Sequence, residues 1–545
     1  MYKWNLKNKN KPATLDELNQ MLIDNRKIKN NDMFFNVKNV GIKEVRSFLG
    51  NDFFVAINKA VKCIFESISN GENIVIHGDY DADGVTSTAL LWQAIYEEIG
   101  YKNVFPYIPS RFEQGYGLSY DSLKFINQKY FEDKKGLLIT VDCGITAVEQ
   151  VKYAKQSDIK VLLTDHHQKS RTIPKPDVLL WTDKLCGVGI AYFLAKKLLN
   201  KDDFGLDLFA IGTVADLQPL TNVNRILVKK GLEQINLRPR LGIKKLLDVA
   251  GFERQIKAKD IGWVIAPRIN ASGRLYSAFD SLRLMCTKDN TLAKQLAKKL
   301  DNINKERKEK TESMIKIAEQ QLTNDLASFI VSENFHEGIV GLVAGRLTQK
   351  YYKPALVLQV EDNIAKGSAR SIPEIDIIKL LRQFEGEFIN LGGHSAAAGF
   401  SIKLDNVENL KTKIFNYLNN TYNNKLFSAS LSIEFPIDLD FIGGDLWNLI
   451  MQYEPFGIQN KEPLFLLPNL RIVDIKSVGK GKHLSLNLTN EKHFVKSIAF
   501  GMGSMLDELD FDTKVDVVGS ILENVWNGNT SYQIKISDIK KVNTK

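Results

Sequence analysis

Apolar residues along this chain gather in short runs separated by segments with helical spacing, and the alternation starts near residue 73. NIVIHG (73–78), NVFPYIP (103–109), GLLITVD (136–142) and KVLLTD (160–165) are nearly continuous in apolar residues. Strands covered on both faces of a parallel sheet have this pattern. VTSTALLWQAIYEEIG (85–100) between the first two runs predicts a helix. Each run ends in polar residues, where open α/β sheets gather their ligands. From about 280 to 325 the chain lacks Gly and Pro and repeats Leu and Ile at helical intervals, which predicts one long connecting helix. ASFIVSE (327–333) and PALVLQV (354–360) begin a second α/β unit that ends near a glycine-rich LGGHSAAAGF (391–400). Beyond about residue 430 the pattern changes to short alternating strands, RIVDIKSV, HLSLNLTN, FVKSIAFG, KVDVVGSILENVW and SYQIKISDI, which predict a small β-barrel. Residues 1–60 are polar and helix-leaning, without an interpretable motif. The expected organisation is a helical segment over 1–60, an α/β domain over 61–280, a connecting helix over 281–325, a second α/β domain over 326–428 and a barrel over 429–545.

At 545 residues the chain has room for several cores. Cys63, Cys143, Cys186 and Cys286 are scattered and form no CxxC, which argues against a disulfide framework and a zinc knuckle. The N-terminus lacks the apolar core of a signal peptide, and no run reaches the roughly 20 apolar residues of a membrane span. A soluble, cytoplasmic protein without a membrane partner is therefore expected. The formal charge of +9 favours polyanionic partners such as nucleic acid, although a composition rich in Asn and Lys also arises from codon bias.

HGDYDADG (77–84) crowds like charges beside an apolar run, an arrangement that calls for cations. Four strand ends are expected to supply ligands: His77, Asp81 and Asp83 after the first, Asp142 in ITVDCGI, His166 in TDHHQ and Asp216 in GTVADLQPL. Oxygen donors suit Mg²⁺ or Mn²⁺, and imidazole tilts the choice toward Mn²⁺. Two ions about 3.5–4 Å apart need a shared carboxylate, for which Asp142 is the candidate, and such a pair suits attack of water on phosphorus. Hydrolysis of a phosphoester or phosphoanhydride follows as the expected reaction class. A calcium loop of EF-hand type is the rival for DADG, but the downstream acidic ligand is missing and the following residues are apolar. DHH alone would also fit a capping aspartate before two ordinary histidines.

HGDYDADG, VDCGI, DHH and ADLQPL, in this order, resemble the DHH phosphoesterase superfamily. PSRFEQGYGL (109–118), PRINASGRL (267–275), FHEGIVGLVAGRL (335–347), GSARS (367–371), GGHSAAAGF (392–400) and PFGIQNKEPLF (455–465) resemble the RecJ family of single-strand-specific exonucleases. The resemblance runs from residue 70 to the end. It implies a DHH domain with a parallel β-sheet, a long connecting helix, an α/β DHHA1 domain and a C-terminal OB-fold β-barrel. It also implies a two-metal 5′→3′ exonuclease that releases mononucleotides from single-stranded DNA in recombination and repair. A helicase and a single-strand-binding protein would be its partners, and the chain would act as a monomer.

By motif, the resemblance assigns His77, Asp81 and Asp142 to one ion and Asp83, Asp142, His166 and Asp216 to the other. His167 would face the scissile phosphate or the leaving oxygen, oriented by Asp165, so that Asp142, Asp165 and His167 form the catalytic set. Arg111, Ser368 and Arg370 would recognise the terminal 5′-phosphate, with surface ion pairs as the plain alternative for the arginines. Arg268, Asn270 and Arg274 would line the DNA path or else support a strand end. His394 would donate to a phosphate, unless its small neighbours serve tight helix packing instead. Phe500, Trp526 and Tyr532 would be stacking platforms or fill the barrel. Two other readings remain. A DHH phosphodiesterase of oligonucleotides or cyclic dinucleotides would generally lack the barrel, and a non-catalytic DNA-binding scaffold would have lost metal ligands.

Overall fold

The computed structural model describes residues 2–29, 34–35, 41–115, 117–132, 134–422 and 427–542, without the side chains of Ile42 and Trp526. The N-terminal stretch is not purely helical. It opens with β1 (Lys3–Leu6), paired in parallel with Ser430–Ile433 near the other end of the chain. α1 (Leu15–Asn25) starts at Thr14, whose side chain accepts from the Glu17 amide, and buries Leu18, Met21, Leu22 and Ile23 in the core of the C-terminal barrel. α2 (Asn51–Ser69) instead sends Phe53, Ile57, Ala60 and Ile64 into the core of the first lobe. An apolar helical stripe must be covered, but its sequence does not name the cover.

The first lobe is built on an all-parallel sheet of β2 (Asn73–Gly78), β3 (Val104–Tyr107), β4 (Gly136–Val141), β5 (Ile159–Asp165) and β6 (Val178–Trp181), in the order β3-β2-β4-β5-β6. Alternate residues serve two cores. Ile74 and Ile76 of β2 join one, and Val75 joins the other, which is why these runs do not alternate apolar with polar. The chain leaves β2 toward β3 on one side and leaves β4 toward β5 on the other. The crevice beyond the carboxyl ends of β2 and β4 is therefore the topological switch point, where such sheets bind ligands. Helices α3 (Ala82–Gln93), α4 (Gly187–Leu199) and α5 (Leu206–Ala215) are almost wholly buried around it. α6 (Asn222–Leu237) and α7 (Ala266–Leu275) follow. PRINASGRL thus lies on a helix and not at a strand end.

The expected single helix over 281–325 is two helices, α8 (Phe279–Cys286) and α9 (Asn290–Gln320). Thr287 is extended, and the Asp289 side chain accepts from the amides of Thr291 and Leu292 to begin α9 afresh. An N-capping aspartate satisfies amides that have no partner inside the helix.

The second lobe is a five-stranded sheet, β10-β11-β9-β8-β7, made of β7 (Ser328–Ser332), β8 (Ala355–Glu361), β9 (Ile364–Arg370), β10 (Phe388–His394) and β11 (Ala397–Lys403), with α10 (Val340–Tyr351) against β8 and β9. β7 and β8 are parallel and the other pairs antiparallel. GGHSAAAGF forms the β10–β11 hairpin, with His394 opposite Ala397, so its small residues lie on paired strands and not between two helices. After β12 (Ser430–Ile433) and α11 (Gly444–Met451), the chain closes a barrel, β13-β14-β15-β17-β16, from β13 (Phe465–Val478), β14 (His483–Thr489), β15 (Phe494–Ala499), β16 (Lys514–Trp526) and β17 (Asn529–Lys541). Parallel pairing of β15 with β17 completes the ring. Among the described residues no helix is long and apolar enough to cross a membrane.

Candidate metal centre and phosphate cleft

Strand β2 ends at Gly78, and the chain turns through Asp79 and Tyr80 into α3. Asp81 caps α3, its carboxylate accepting from the amides of Asp83 (2.9 Å) and Gly84 (3.1 Å). Asp83 points the other way and accepts from Gly187 N (2.7 Å) and Val188 N (2.8 Å), the first turn of α4, where unpaired amides and the helix dipole favour an anion. Asp142 follows β4 with φ +63°, a left-handed conformation that Asp tolerates better than most residues. A Cβ on Gly187 would lie 2.5 Å from Asp142 Cβ, so residue 187 must be glycine for Asp142 to stand where it does.

His166, just past β5, brings the carboxylates together. Its Nε2 is 3.0 Å from Asp142 and 3.8 Å from both Asp83 and Asp216. Ligand atoms within 4.8 Å of one another form three groups: Asp79–Asp81–Asp142, Asp83–His166–Asp216 and Asp142–His166–His167. Asp142 links the first to the third, and His166 links the third to the second. Burial and then the neighbouring carboxylates push Asp79 and Asp142 well above the usual carboxylate range, and Asp81 up as well. Asp216 is raised to about 8 by burial and by the charge of Asp83. So many acids cannot all ionise in one buried cleft unless cations neutralise them.

The histidines suit the same role. Burial lowers His166 and brings His77 to about 4, leaving neutral imidazoles, the form that binds metal. His77 Nε2 is buried without a hydrogen-bond partner, and Nδ1 lies 3.6 Å from Cys143 Sγ. Hard oxygens with neutral imidazole fit Mg²⁺ or Mn²⁺.

The site departs from the expected ligand set at two points. Asp216 arrives from the C-terminal end of α5, not from a strand, so three strand ends and one helix end converge. Asp79 was absent from the expected ligand set yet shares a group with Asp81 and Asp142, whereas His77 belongs to none of the three groups. The signal for Asp79 lay in the same HGDYDADG, but spacing alone does not say which carboxylates face inward.

Asp165 and His167 act together. Asp165 accepts from Ile145 N (2.8 Å), from the amides of His166 (2.7 Å) and His167 (3.0 Å), and from His167 Nδ1 (2.8 Å). Burial opposes the charge of Asp165, but the hydrogen bonds from His167 and Ile145 hold its pKa below the ordinary value. Burial likewise opposes protonation of His167, but the hydrogen bond and charge of Asp165 outweigh it and raise the imidazole to about 9.

Next to Asp216, Leu217 has φ +58° and is 68% exposed. Glycine is the usual residue at such a helix end. Leu217→Gly is expected to stabilise the protein in urea denaturation by about 0.5–1 kcal/mol, the left-handed penalty outweighing the entropy glycine adds to the unfolded chain. A loss of stability would show that the leucine is held by packing.

Beside the acidic crevice lies a cluster of opposite charge. Burial and then the charge of Arg111 lower Arg370, and the same two causes lower Arg274 to about 10. None of these three arginines has a carboxylate ion-pair partner among the described residues. Arg370 Nη1 donates to Ser368 Oγ and Ala369 O (both 2.9 Å), and Gly341 leaves the space that the arginine and serine occupy. Arg111 stacks over Tyr80, 5.4 Å from its ring centre. At the β10–β11 turn, His394 accepts from Ala396 N at Nδ1 (3.3 Å), and partial burial followed by the charges of Arg370 and His167 lowers its imidazole. Crowded guanidiniums without carboxylates make a seat for phosphate.

Arg268 and Asn270 make contacts of the supporting kind. Arg268 pairs with Asp301 of α9 at 2.8 Å and donates to Val264 O at 2.7 Å. Asn270 accepts from Ala82 N at 2.6 Å and so pins the start of α3 behind the acidic turn. On the barrel, Phe500 is exposed and Tyr532 packs toward Trp447, while the side chain of Trp526 lies outside the described residues.

Three family models match the chain: DHH family, N-terminal domain, over 73–213; DHHA1 domain over 316–420; and RecJ OB domain over 433–538. The single-stranded-DNA-specific exonuclease RecJ of Bacillus subtilis is 33% identical over 88% of this chain, which spans 63% of that relative's length, less than two thirds. The protein of the same name from Haemophilus influenzae is 31% identical over 92% of this chain and 93% of its own. The crystal structure of RecJ from Thermus thermophilus in complex with Mn²⁺ is 27% identical, with a TM-score of 0.80 over 97% of this chain and 76% of that one.

Proposed function

Since the chain belongs to the RecJ family of single-stranded-DNA-specific exonucleases, we propose that it removes mononucleotides one after another from the 5′ end of single-stranded DNA. The observation that carries this reading is the placing of an arginine cluster beside a buried acidic one. Asp142 would be shared by two divalent ions, Mn²⁺ or Mg²⁺. Asp79, Asp81 and His77 would complete one ligand set and Asp83, His166 and Asp216 the other. When bound, these ions polarise the phosphoryl oxygens and make hydroxide available near neutral pH.

The protein's own residues do the rest. Arg111, Ser368 and Arg370 seat the terminal 5′-phosphate, and Arg274 adds positive charge behind them. His394 donates to a backbone phosphate from the hairpin. His167, kept protonated at neutral pH by Asp165, donates its proton to the departing O3′ as the P–O bond breaks. Each cleavage leaves a new 5′-phosphate on the shortened strand, so the same arginines recognise the product as the next substrate. Single strands held along the barrel by charge and stacking would keep the end in place. By extension from the family we infer a role in recombination and repair, in which a helicase and a single-strand-binding protein would cooperate with a cytoplasmic monomer. All four cysteines are free thiols, which suits a reducing compartment.

The test compares a long 5′-phosphorylated strand labelled at one end or the other. With Mn²⁺, a 5′ label is expected in mononucleotides from the first turnover, and a 3′ label only in shrinking strands. The reverse order would refute the polarity. Faster hydrolysis of dinucleotides than of long strands would favour an oligonucleotide phosphodiesterase instead.

A further inference from the structure

The turn that carries Asp216 is braced from the barrel side of the molecule. Past α5, Asp216 N donates to Gly212 O (2.8 Å), Gln218 N to Thr213 O (3.1 Å), and Gln218 Nε2 to the Asp216 carboxylate (2.9 Å). Leu220, buried two residues later, donates its amide to Ile458 O at 2.8 Å. Ile458 belongs to the loop 452–460 between α11 and β13, inside the region matched by the RecJ OB domain. The adjacent Gly457 touches the same leucine closely, since a Cβ there would lie 2.6 Å from Leu220 Cδ1 and 2.9 Å from Cγ.

The loop is itself held rigidly. Arg225 of α6, 1% exposed, donates from Nη1 to Tyr453 O (2.8 Å) and Pro455 O (3.4 Å) and from Nη2 to Gln452 O (3.2 Å). Its Nε donates to Phe34 O (3.2 Å), and the guanidinium lies 3.9 Å from the Phe34 ring centre. Asn460, also 1% exposed, donates to Tyr453 O and Pro455 O, both at 2.9 Å. Gly457 and Asn460 exchange backbone hydrogen bonds of 2.9 and 3.2 Å across the loop. Burying an arginine is expensive, and apolar contact would join two lobes at lower cost. Arginine instead fixes the loop at one definite position, because its planar fork gathers several carbonyls at once.

We propose that loop 452–460 is a strut that sets the position of Asp216, with Arg225, Gly457 and Asn460 as positioning residues. Seating of the barrel then governs the geometry of the metal centre as well as the grip on a strand. The inference rests on the functional reading above in taking Asp216 as a metal ligand.

Two variants of the full chain test it, Gly457→Ala and Arg225→Met, with thermal denaturation to verify folding. The substrates are a long 5′-phosphorylated strand and a 5′-phosphorylated dinucleotide, which offers the barrel no strand to grip. Mn²⁺ binding without DNA is followed by loss of the free-ion electron paramagnetic resonance signal. For Gly457→Ala, kcat on the dinucleotide is expected to fall and the Kd of the weaker Mn²⁺ site to rise, each about 10-fold, as when groups supporting a metal ligand are disturbed. Arg225→Met should move both in the same direction. If folded Gly457→Ala keeps the parent's dinucleotide kcat and Mn²⁺ affinity while KM for the long strand rises, the loop merely joins lobes and the proposal is overturned. Should Arg225→Met fail to fold, Gly457→Ala decides alone. If the parent leaves both substrates intact, the exonuclease reading fails, and the Mn²⁺ titration still decides the strut.

Discussion

Asp142→Ala is expected to lower kcat/KM on single-stranded DNA by at least about 1000-fold, since loss of a shared ligand removes several kcal/mol of charge stabilisation at phosphorus. No neighbour can replace it. Asp142 links the acidic group on the β2 side to His166 on the β5 side, and its left-handed backbone directs the carboxylate into the space that Gly187 leaves open. Asp142→Asn keeps the shape and removes the charge, so it separates ligation from packing. Activity should fall as far, while the metal-free protein should become more stable, because a buried acid that repels its neighbours is gone. The sign follows from the raised folded-state pKa values. Such acids leave the metal-free fold most stable below the ordinary carboxylate range and weaken it as pH rises toward about 8, where Asp216 titrates. Saturating Mn²⁺ should then stabilise the parent strongly near neutral pH and Asp142→Asn far less. The check is thermal denaturation with and without Mn²⁺, beside nuclease assays. An active Asp142→Asn, or equal stabilisation of both proteins by Mn²⁺, would remove Asp142 from the centre.

The strands around this site were legible because burial on both faces leaves almost no polar residue inside them, as in β2, β4 and β5. Ligands at strand ends were legible for a related reason, since a buried apolar run followed by Asp or His has few other uses. The sequence was less informative where tertiary contact decides. Whether Asp79 or His77 turns inward depends on how the chain leaves β2, and a pattern of alternate aspartates fits either. Asp216 was found by motif, but its approach from a helix end depends on the packing of α5 among its buried neighbours. The break at Thr287–Asp289 was marked by a capping aspartate among the weak helix formers Thr287, Asn290 and Thr291, a short signal lost between two long runs of strong ones. Division of residues 1–60 between two cores left no local mark, nor did the pairing of Lys3–Leu6 with Ser430–Ile433. Gly187 and Gly457 are required by the neighbours Asp142 and Leu220, which are distant in sequence.

Arg370→Ala should strike the other half of the site and leave the metal centre intact. Its guanidinium is oriented by Ser368 Oγ and Ala369 O on a rigid strand, so little rotamer freedom is lost when a phosphate binds. Arg111 approaches from the first lobe and Arg370 from the second, so a 5′-phosphate between them would tie the lobes together. Removing one partner of such a charge-assisted contact costs about 2–4 kcal/mol, or about 30- to 1000-fold in affinity. KM for a 5′-phosphorylated strand should rise by that factor, whereas KM for the 5′-hydroxyl strand, which lacks the phosphate, should barely move. Arg370→Lys should restore only part of the loss, because an ammonium cannot donate two parallel hydrogen bonds. The unliganded variant should be no less stable than the parent, since three guanidiniums that repel one another become two. Mn²⁺ affinity should also stay at the parent's value, which distinguishes this effect from damage to the acidic cluster. Equal losses on phosphorylated and hydroxyl ends would mean that Arg370 grips the strand at large and does not read its terminus.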